Sequence, residues 1–366
     1  MDKKKIVQYF LERGFLISPD VLEKLSKFND NYIFNKIIEN SSDIFLTQFS
    51  ENKVRVIKNL VKIPREIKTE QFIKFFQDKY KKMQKIFLRR TKFNFVSLNK
   101  LGKERKEVYI FGIVKNIKEK ADKKIVEIED MTTSVKVEFS LNVKNIDNLM
   151  LDEAIVVRGI SAGEYLFGKE IIYPDIPLRP PTKGQERVCF ISDLHLDETP
   201  PSDIKKFFDW FKTQKISYLL VAGDISDKES FINYVKDLGS KVFLIPGEKD
   251  DSSYPALGIK LKEGLKNVIS LSNPAMIEIN GVKILMIHKF NLDMLKKRYL
   301  GQSKLILNED YLVLDVVPDI VHCGHTHEPE VKNYKSATIV NSGSPLSDFK
   351  PVVINLADRS VEQIRL

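Results

Sequence analysis

The sequence has few of the features on which secreted and membrane proteins depend. It holds only two cysteines, Cys189 and Cys323, each inside an apolar strand-like run, and it has no apolar run of membrane length. A spanning helix needs about 20 successive apolar residues, and disulfide scaffolds need more cysteines than this. The N-terminus begins with charged residues rather than with a signal peptide. We therefore expect buried free thiols and a cytoplasmic protein that does not contact a membrane.

Acidic residues are scarce in one stretch of the chain. Residues 51–100 hold 15 Lys and Arg against four Asp and Glu, whereas residues 1–50 hold seven of each class, and the net charge is +9. This local excess favours an anionic partner for residues 51–100. A length of 366 residues with 43% hydrophobic residues excludes a disordered chain and allows two or three globular domains.

Periodicity divides the chain into four parts. Residues 1–50 are predicted to be a small helical docking module, with a purely structural role as the alternative. Residues 51–92 are predicted to be a basic linker, over 54–68, followed by a helix that starts after Thr69. Residues 93–178 have the short alternating strands of an OB-fold β-barrel. Residues 185–366 follow a proline-rich joint and alternate strands with helices, as a layered α/β domain does.

The predicted helix after Thr69 combines apolar and basic positions. Phe72, Phe76, Met83 and Phe87 recur at near-helical spacing and are predicted to be its core face. Six cations surround them and are candidate contacts to DNA phosphates, with a solvated face as the alternative. These cations are Lys79, Lys81, Lys82, Lys85, Arg89 and Arg90.

The predicted barrel has candidate strands at 108–117, 124–129, 135–139, 154–159 and 166–173. OB-fold barrels often hold single-stranded nucleic acid, although barrels also serve as spacers. Phe111, Phe139 and Tyr165 could stack on bases or lie in the interior. The sequence leaves DNA contact by the barrel open.

Histidine is also scarce, and all five histidines lie between positions 195 and 327. His322 is inside a strand and is predicted to be a buried core residue. The other four, with Asp193 and Asp224, directly follow strand ends, where α/β folds assemble their sites. The order D-x-H, G-D, G-x-x-D, isolated H and G-H-x-H is far more specific than any single pair. The four histidines are His195, His288, His325 and His327.

Carboxylate and imidazole ligands in this order predict a paired-metal phosphoesterase. Two cations about 3.5–4 Å apart can share a bridging hydroxide and clamp a phosphate during in-line attack. Mixed imidazole and carboxylate ligands suit Mn²⁺, Fe²⁺ or Zn²⁺ better than Mg²⁺ or Ca²⁺. We therefore expect two divalent ions, with Mn²⁺ favoured.

These motifs resemble those of the calcineurin-like metallophosphoesterases, which run D-x-H, G-D, G-N-H-D, H and G-H-x-H. The resemblance implies a calcineurin-like α/β phosphoesterase sandwich over residues 185–366. It also implies one metal held by Asp193, His195 and His327, with Asp224 as the bridge. The second metal would be held by His288, His325 and the residue in the Asn position, which is Glu248.

The third motif departs from this family pattern. It stands here as Gly247-Glu248-Lys249-Asp250, with Glu248 in place of Asn and Lys249 in place of His. Glu248 can still bind a cation, unless Lys249 pairs with it and takes the place of the metal. Lys249 and Asp250 are the candidate catalytic residues. Lys249 can stabilise phosphate charge, but free lysine, with a pKa of about 10.4, is a poor acid near neutral pH. Loss of a general acid costs about 10²–10⁴ in rate.

The likeness to known proteins extends beyond one domain. The barrel ends in Pro-Asp-Ile-Pro, and the last domain contains Phe-Ile-Ser-Asp-Leu-His, Val-Pro-Asp-Ile-Val-His-Cys-Gly-His-Thr-His and Val-Asn-Ser-Gly-Ser. Together with the helical module and the basic helix, these features resemble the small subunits of archaeal family D DNA polymerases. That resemblance implies a large catalytic polymerase subunit and DNA as partners and a 3′-to-5′ proofreading exonuclease. The sequence contains no convincing sliding-clamp peptide, so any sliding clamp would be reached only through the complex. The alternatives are an inactive scaffold subunit and a stand-alone metallophosphatase, which would leave the basic helix and barrel unexplained.

Overall fold

The computed structural model of the chain describes residues 2–12, 16–17, 19–26, 45–46, 54–64, 69–90, 93–102, 104–162, 165–261, 264–303 and 305–366. The chain divides into two units, Met1–Lys53 and Val54–Leu366. Both cysteines are buried and free, as predicted. Among the helices within the described ranges, none combines the length and the apolarity needed to cross a bilayer.

The described residues of the first unit contain two short helices. α1 spans Lys3–Leu11, and the side chain of Asp2 caps it by accepting a hydrogen bond from the backbone N–H of Lys4. β1 (Leu16–Ile17), α2 (Pro19–Leu25) and β2 (Phe45–Leu46) follow, and the two strands pair in parallel. Residues 27–44 and 47–53, which complete the predicted module, lie outside the described residues.

β3 (Val54–Lys58) starts the second unit and corrects the prediction of a linker over residues 54–68. β3 pairs antiparallel with the strand at residues 275–279 of the last domain. Its valines and isoleucine have high β-propensity, and its basic side chains suit an edge strand. The absence of turn residues in this stretch was therefore a sign of a strand.

Five strands form a closed barrel in the order β4-β5-β6-β8-β7. Their bounds are β4 Lys106–Glu119, β5 Lys123–Glu129, β6 Ser134–Ser140, β7 Ala154–Ala162 and β8 Tyr165–Ile172. Val126, Val137 and Phe139 are among the side chains that fill its interior. All five predicted strands and their closure are confirmed, while OB-fold remains the predicted class of this barrel.

α3 spans Thr69–Arg90, as predicted, but buries a different face. Met83 and Phe87 are buried as expected, whereas Phe72 is 48% exposed. The buried face packs on the outer wall of the barrel, where Phe87 lies 5.4 Å from Phe111 between ring centroids. Phe111 is therefore covered by α3, and Phe139 is interior, so neither can stack on a base. The buried face of α3 differs from the predicted one because four other residues are buried beside Met83 and Phe87. These are Phe75, Lys79, Tyr80 and Ile86.

The last domain is a sandwich of two six-stranded sheets with the orders β12-β11-β10-β9-β18-β19 and β16-β17-β15-β14-β13-β3. Its helices are α4 Pro201–Thr213, α5 Lys228–Val235 and α6 Leu292–Lys297. Its strands are β9 Arg187–Ile191, β10 Tyr218–Ala222, β11 Lys241–Ile245, β12 Val268–Ser270, β13 Ala275–Ile279, β14 Val282–Met286, β15 Ile320–Cys323, β16 Pro329–Tyr334, β17 Ala337–Ser342, β18 Val352–Asn355 and β19 Val361–Gln363.

The core of this domain lies between the two sheets. Phe190 and Phe243 of the first sheet pack with Ile277 and Ile284 of the second. β9, β10 and β11 are parallel neighbours in the first sheet, and β14 and β15 are parallel neighbours in the second. Within each sheet these strands end at one edge, so the loops that follow them lie side by side.

Candidate metal centre

Loops that directly follow these strands supply every predicted metal ligand. Five of the ligands have left-handed backbone conformations, a region that L residues adopt at a cost of about 1–3 kcal/mol each. Strain of this kind concentrates at functional sites because the surrounding structure must maintain it. The φ angles are 54° at Asp193, 41° at His195, 51° at Asp224, 72° at His325 and 58° at His327.

The structure brings the first predicted group of ligands together. The ligand atoms of Asp193, His195 and His327 all lie within 4.8 Å of one another. His195 Nε2 is 3.0 Å from His327 Nε2, and His327 Nε2 is 3.6 Å from Asp193 Oδ1. Asp193 and His195 are buried, so their nitrogen and oxygen atoms converge in a protected place.

A second group adjoins the first. Asp193, Asp224 and His288 also have ligand atoms within 4.8 Å of one another. Asp224 Oδ2 lies 3.3 Å from His288 Nε2 and 4.0 Å from His195 Nε2, so it reaches towards both groups. This position agrees with the bridging role that the sequence motifs predict for Asp224.

His288 indicates that the cluster is built for a cation. Its Nδ1 lies 2.7 Å from the carbonyl oxygen of Ala222 and donates to it, which leaves the lone pair of Nε2 facing carboxylates. Nε2 is buried and lacks a hydrogen-bond partner within the described part of the chain. Burial alone would lower the pKa of His288, yet the carboxylates of Asp224 and Asp193 raise it to about 9. A divalent ion beside Nε2 would supply the positive charge that these carboxylates otherwise obtain from a proton on His288, so the residues present fit a divalent metal.

Glu248 lies at the outer side of the cluster. Its Oε2 is 3.2 Å from His325 Nδ1, and its Oε1 is 4.0 Å from Lys289 Nζ. The ring centroids of His325 and His288 are 5.6 Å apart, so the substituted Asn position still faces the second group. The lysine near Glu248 is Lys289, whereas the sequence had offered Lys249 as the alternative partner of Glu248.

The two candidate catalytic residues have different surroundings. The side chain of Lys249 is exposed, and its backbone N–H donates to Asp224 Oδ1 at 2.8 Å. Asp250 accepts hydrogen bonds from the backbone N–H groups of Gly247, Ser226 and Ile225 at 2.9, 2.9 and 3.3 Å. We therefore interpret Asp250 as a positioning residue that joins two site loops, not as a catalytic residue.

Two glycines allow the loops to approach this closely. A Cβ atom on Gly247 would lie 2.1 Å from Asp224 Oδ1, and one on Gly324 would lie 2.4 Å from Asp193 Oδ2. Such distances are far inside van der Waals contact, so both positions require glycine.

The sequence analysis missed residues that support the site from β17 and the turn after it. Asn341 Nδ2 donates to the carbonyl oxygen of Gly324 and to Thr326 Oγ1, at 3.1 and 3.0 Å. Ser344 Oγ donates to the carbonyl oxygen of Asp193 at 2.8 Å. Both belong to the Val-Asn-Ser-Gly-Ser run at the end of β17. A change from apolar to polar residues at the end of a strand is the pattern from which they could have been predicted. His322, in contrast, is a buried core residue against Phe190, as predicted.

The six candidate DNA-contacting cations of α3 fall into two sets. Lys79 is buried, its Nζ lies 4.1 Å from the Tyr299 ring centroid, and burial lowers its pKa, which contradicts a phosphate contact. Lys82 pairs with Asp78 at 2.7 Å and Glu309 at 3.2 Å. Arg90 donates to the backbone carbonyls of Pro174 and Asp175. The exposed cations that remain are Lys81, Lys85 and Arg89.

Comparison with known proteins agrees with this geometry. Residues 187–356 match the calcineurin-like phosphoesterase superfamily domain, so the sandwich and its cluster are a phosphoesterase domain of that class. Such domains imply divalent metal ions, and the converging ligands described above are consistent with them. The match covers both predicted metal groups but not the barrel.

Longer matches cover most of the chain. It is 25% identical to the DNA polymerase II small subunit of Archaeoglobus fulgidus, over 94% of this chain and 91% of that protein. It is 25% identical to that of Thermoplasma acidophilum over 94% and 86% of the two chains, and 26% identical to that of Methanothermobacter thermautotrophicus over 74% and 72%. The chain is thus a relative of the archaeal DNA polymerase II small subunits over nearly its whole length.

Proposed function

We propose that the chain is the small subunit of a replicative family D DNA polymerase and that its phosphoesterase domain is a metal-dependent 3′-to-5′ exonuclease. Its relatives bear the name DNA polymerase II small subunit, which supports the first part. The convergence of two ligand groups on Asp193 is the observation that carries the second part. Under this proposal the partners are a large catalytic subunit and DNA, a sliding clamp is reached only through the complex, and the protein works in the cytoplasm.

The cluster has the ligands for two ions. When bound, two divalent ions supply a hydroxide nucleophile at neutral pH and neutralise charge on the phosphate. Asp193, His195 and His327 would hold one ion, and His288 would hold the other with His325 and Glu248. Asp224 would lie between them. Mn²⁺ is the ion that we propose, with Fe²⁺ and Zn²⁺ as alternatives, because borderline cations suit this mixture of imidazoles and carboxylates.

The third motif predicts a slow nuclease. Lys249 can offer positive charge to a leaving oxygen, but an ammonium group is a poor acid near neutral pH. The contact of Lys289 with Glu248 favours a second candidate function, an inactive scaffold subunit, because it gives Glu248 a partner other than a metal. Turnover and metal content, measured on one sample, separate these two functions.

The test uses the full chain, purified with Mn²⁺, and a primer with a 3′-terminal mismatch. We expect two ions per chain and removal of the terminal nucleotide from the 3′ end. Absence of cleavage, whether the chain binds two ions or fewer, would support the scaffold function instead. Cleavage of small phosphomonoesters but not of DNA would support a stand-alone phosphatase and contradict the proposal.

The surface that we propose for DNA comprises α3 and the barrel. Lys81, Lys85 and Arg89 are exposed on α3, and Tyr165 and Phe167 are 55% and 47% exposed on β8. Tyr165 and Phe167 are two residues apart on a strand and therefore face the same side. Exposed cations bind phosphates and exposed aromatic rings stack on bases, so this combination suits single-stranded DNA.

Replacement of the three exposed α3 cations by glutamate is expected to lower the affinity for primer-template DNA. It is also expected to make that affinity less dependent on salt. Each lost phosphate contact lowers the slope of log affinity against log salt by about 0.9, so we expect a decrease of about 2–3. Fluorescence anisotropy between about 50 and 200 mM salt measures this slope. Reversal of three exposed lysines outside α3 and the barrel, Lys212, Lys215 and Lys236, is the control. Equal slopes for the two triple variants would contradict the phosphate contacts.

A further inference from the structure

A cavity of about 900 Å³ adjoins the metal centre. Its wall combines residues of α3, residues 150–154 of the barrel and residues 289–302 of the phosphoesterase domain. Lys289 is part of this wall, directly follows His288, and has its Nζ 4.0 Å from Glu248 Oε1. One end of the cavity therefore lies beside the cluster of metal ligands.

The lining of the cavity is mainly apolar and adaptable. Met150 and Leu151 are 53% and 49% exposed, although large apolar side chains usually find cover. Thioether and leucine side chains pack well against flat rings of varied shape. The volume lies near the top of the range of about 300–1,000 Å³ for small-ligand pockets, so there is room for more than one ring. The apolar lining residues are Met83, Met150, Leu151, Leu292 and Met294.

Most of the charge in the wall is balanced within the protein. Glu153 pairs with Lys297, and Asp293 pairs with Lys296 at 3.1 Å. Asp152 lies close enough to the buried ammonium of Lys79 to affect it electrostatically. Lys289 stands at the end nearest the cluster and is largely exposed. Under the proposed function its neighbour Glu248, 4.0 Å away, holds a metal, which leaves the Lys289 ammonium free to meet a phosphate. A fitting ligand is therefore anionic at that end and uncharged along the rest of its length.

We propose that this cavity binds the terminal bases of a single-stranded DNA end, and that Lys289 contacts the phosphate presented to the metal centre. A base is flat, largely apolar on its faces and uncharged, whereas each linking phosphate is anionic, which matches the distribution of charge in the wall. Base pairs in a duplex stack on one another and do not present their faces to a wall, so the strand enters unpaired. This inference rests on the proposed function, because it requires a phosphodiester at the cluster.

Photochemical cross-linking of the full chain tests the cavity without relying on turnover. The probe is an oligodeoxynucleotide with a photoreactive thymidine at its 3′ terminus, used without metal so that the strand stays intact. We expect cross-linked peptides from residues 150–154 or 289–302. Met150→Asp places a charge against the bases and is expected to reduce the yield about tenfold, since stacking is worth about 1–3 kcal/mol per base.

Val361→Asp is the matched control, because Val361 is 40% exposed on β19 and lies outside α3, the barrel and the cavity wall. Cross-links elsewhere, or equal yields for the two variants, would overturn the proposal. Protection of the cavity peptides by the large subunit, together with no cross-link to DNA, would identify a protein-docking site and also overturn it. A wild-type chain that cleaves no DNA with Mn²⁺ would refute the exonuclease, while the cross-links would still decide the occupant of the cavity.

Discussion

His288→Ala is expected to remove one of the two metal ions and to abolish cleavage of the primer terminus. The carbonyl oxygen of Ala222 holds the imidazole so that Nε2 faces Asp224 and Asp193. Alanine removes this imidazole, so a metal beside the two carboxylates would lose one of its ligands. Loss of a partner that merely orients a metal ligand already lowers metal affinity about 10–100-fold, so loss of the ligand itself should cost at least about 100-fold. Metal analysis after dialysis, and a gel that follows shortening of a labelled primer by the same sample, measure the two effects.

His322→Leu is the control for this experiment. His322 is buried against Phe190, and burial lowers its pKa to about 3, so it is neutral and leucine of similar bulk can replace it. This variant should keep both ions. If His288→Ala also kept both ions with unchanged affinity, the second ligand group would be incorrectly assigned. Metal content decides this point whether or not the chain has nuclease activity.

Gly247→Ala is expected to have the second large effect, on both stability and metal affinity. The added methyl group would lie 2.1 Å from Asp224 Oδ1 and 2.4 Å from the backbone nitrogen of Asp224. Overpacking of this kind costs about 1–3 kcal/mol. Because Asp224 reaches towards both ligand groups, its displacement should weaken both metals. Urea unfolding and metal titration measure the two changes.

Gly239→Ala supplies the matched comparison, because a Cβ atom at Gly239 meets nothing within 4 Å. We expect this variant to match the wild type in metal affinity. A Gly247→Ala variant that binds metal as tightly as Gly239→Ala does would show that Asp224 is not required at its observed position.

The strands and the ligand cluster could be predicted because both depend on local patterns. Alternation of apolar residues placed all five barrel strands within a few residues of their observed bounds. Buried strands followed at once by Asp or His placed the ligands at sheet edges, and the motifs Asp193-x-His195 and Gly324-His325-x-His327 carried most of that information. Such patterns are short, so a single sequence is enough to recognise them.

The features that could not be predicted depend on contacts between distant residues. The burial of Lys79 requires Tyr299, which lies more than 200 positions later in the chain. Glu248 contacts His325 at 3.2 Å and Lys289 at 4.0 Å, which are 77 and 41 positions later in the chain, rather than the adjacent Lys249. The spacing of residues in the sequence indicates the helix or strand to which each belongs. Tertiary packing decides which of several similar side chains contacts a given partner.

The pairing of β3 with β13 makes the phosphoesterase domain discontinuous in sequence. β3 belongs to the sandwich, α3 and the barrel follow it in the chain, and the other strands of the sandwich begin at residue 187. The barrel is thus an insertion that is covalently joined to the phosphoesterase sandwich at both ends, which restricts its rotation relative to that sandwich. A fragment that began at residue 185 would lose β3 and leave the apolar strand Ala275–Ile279 as an uncovered edge, open to self-association.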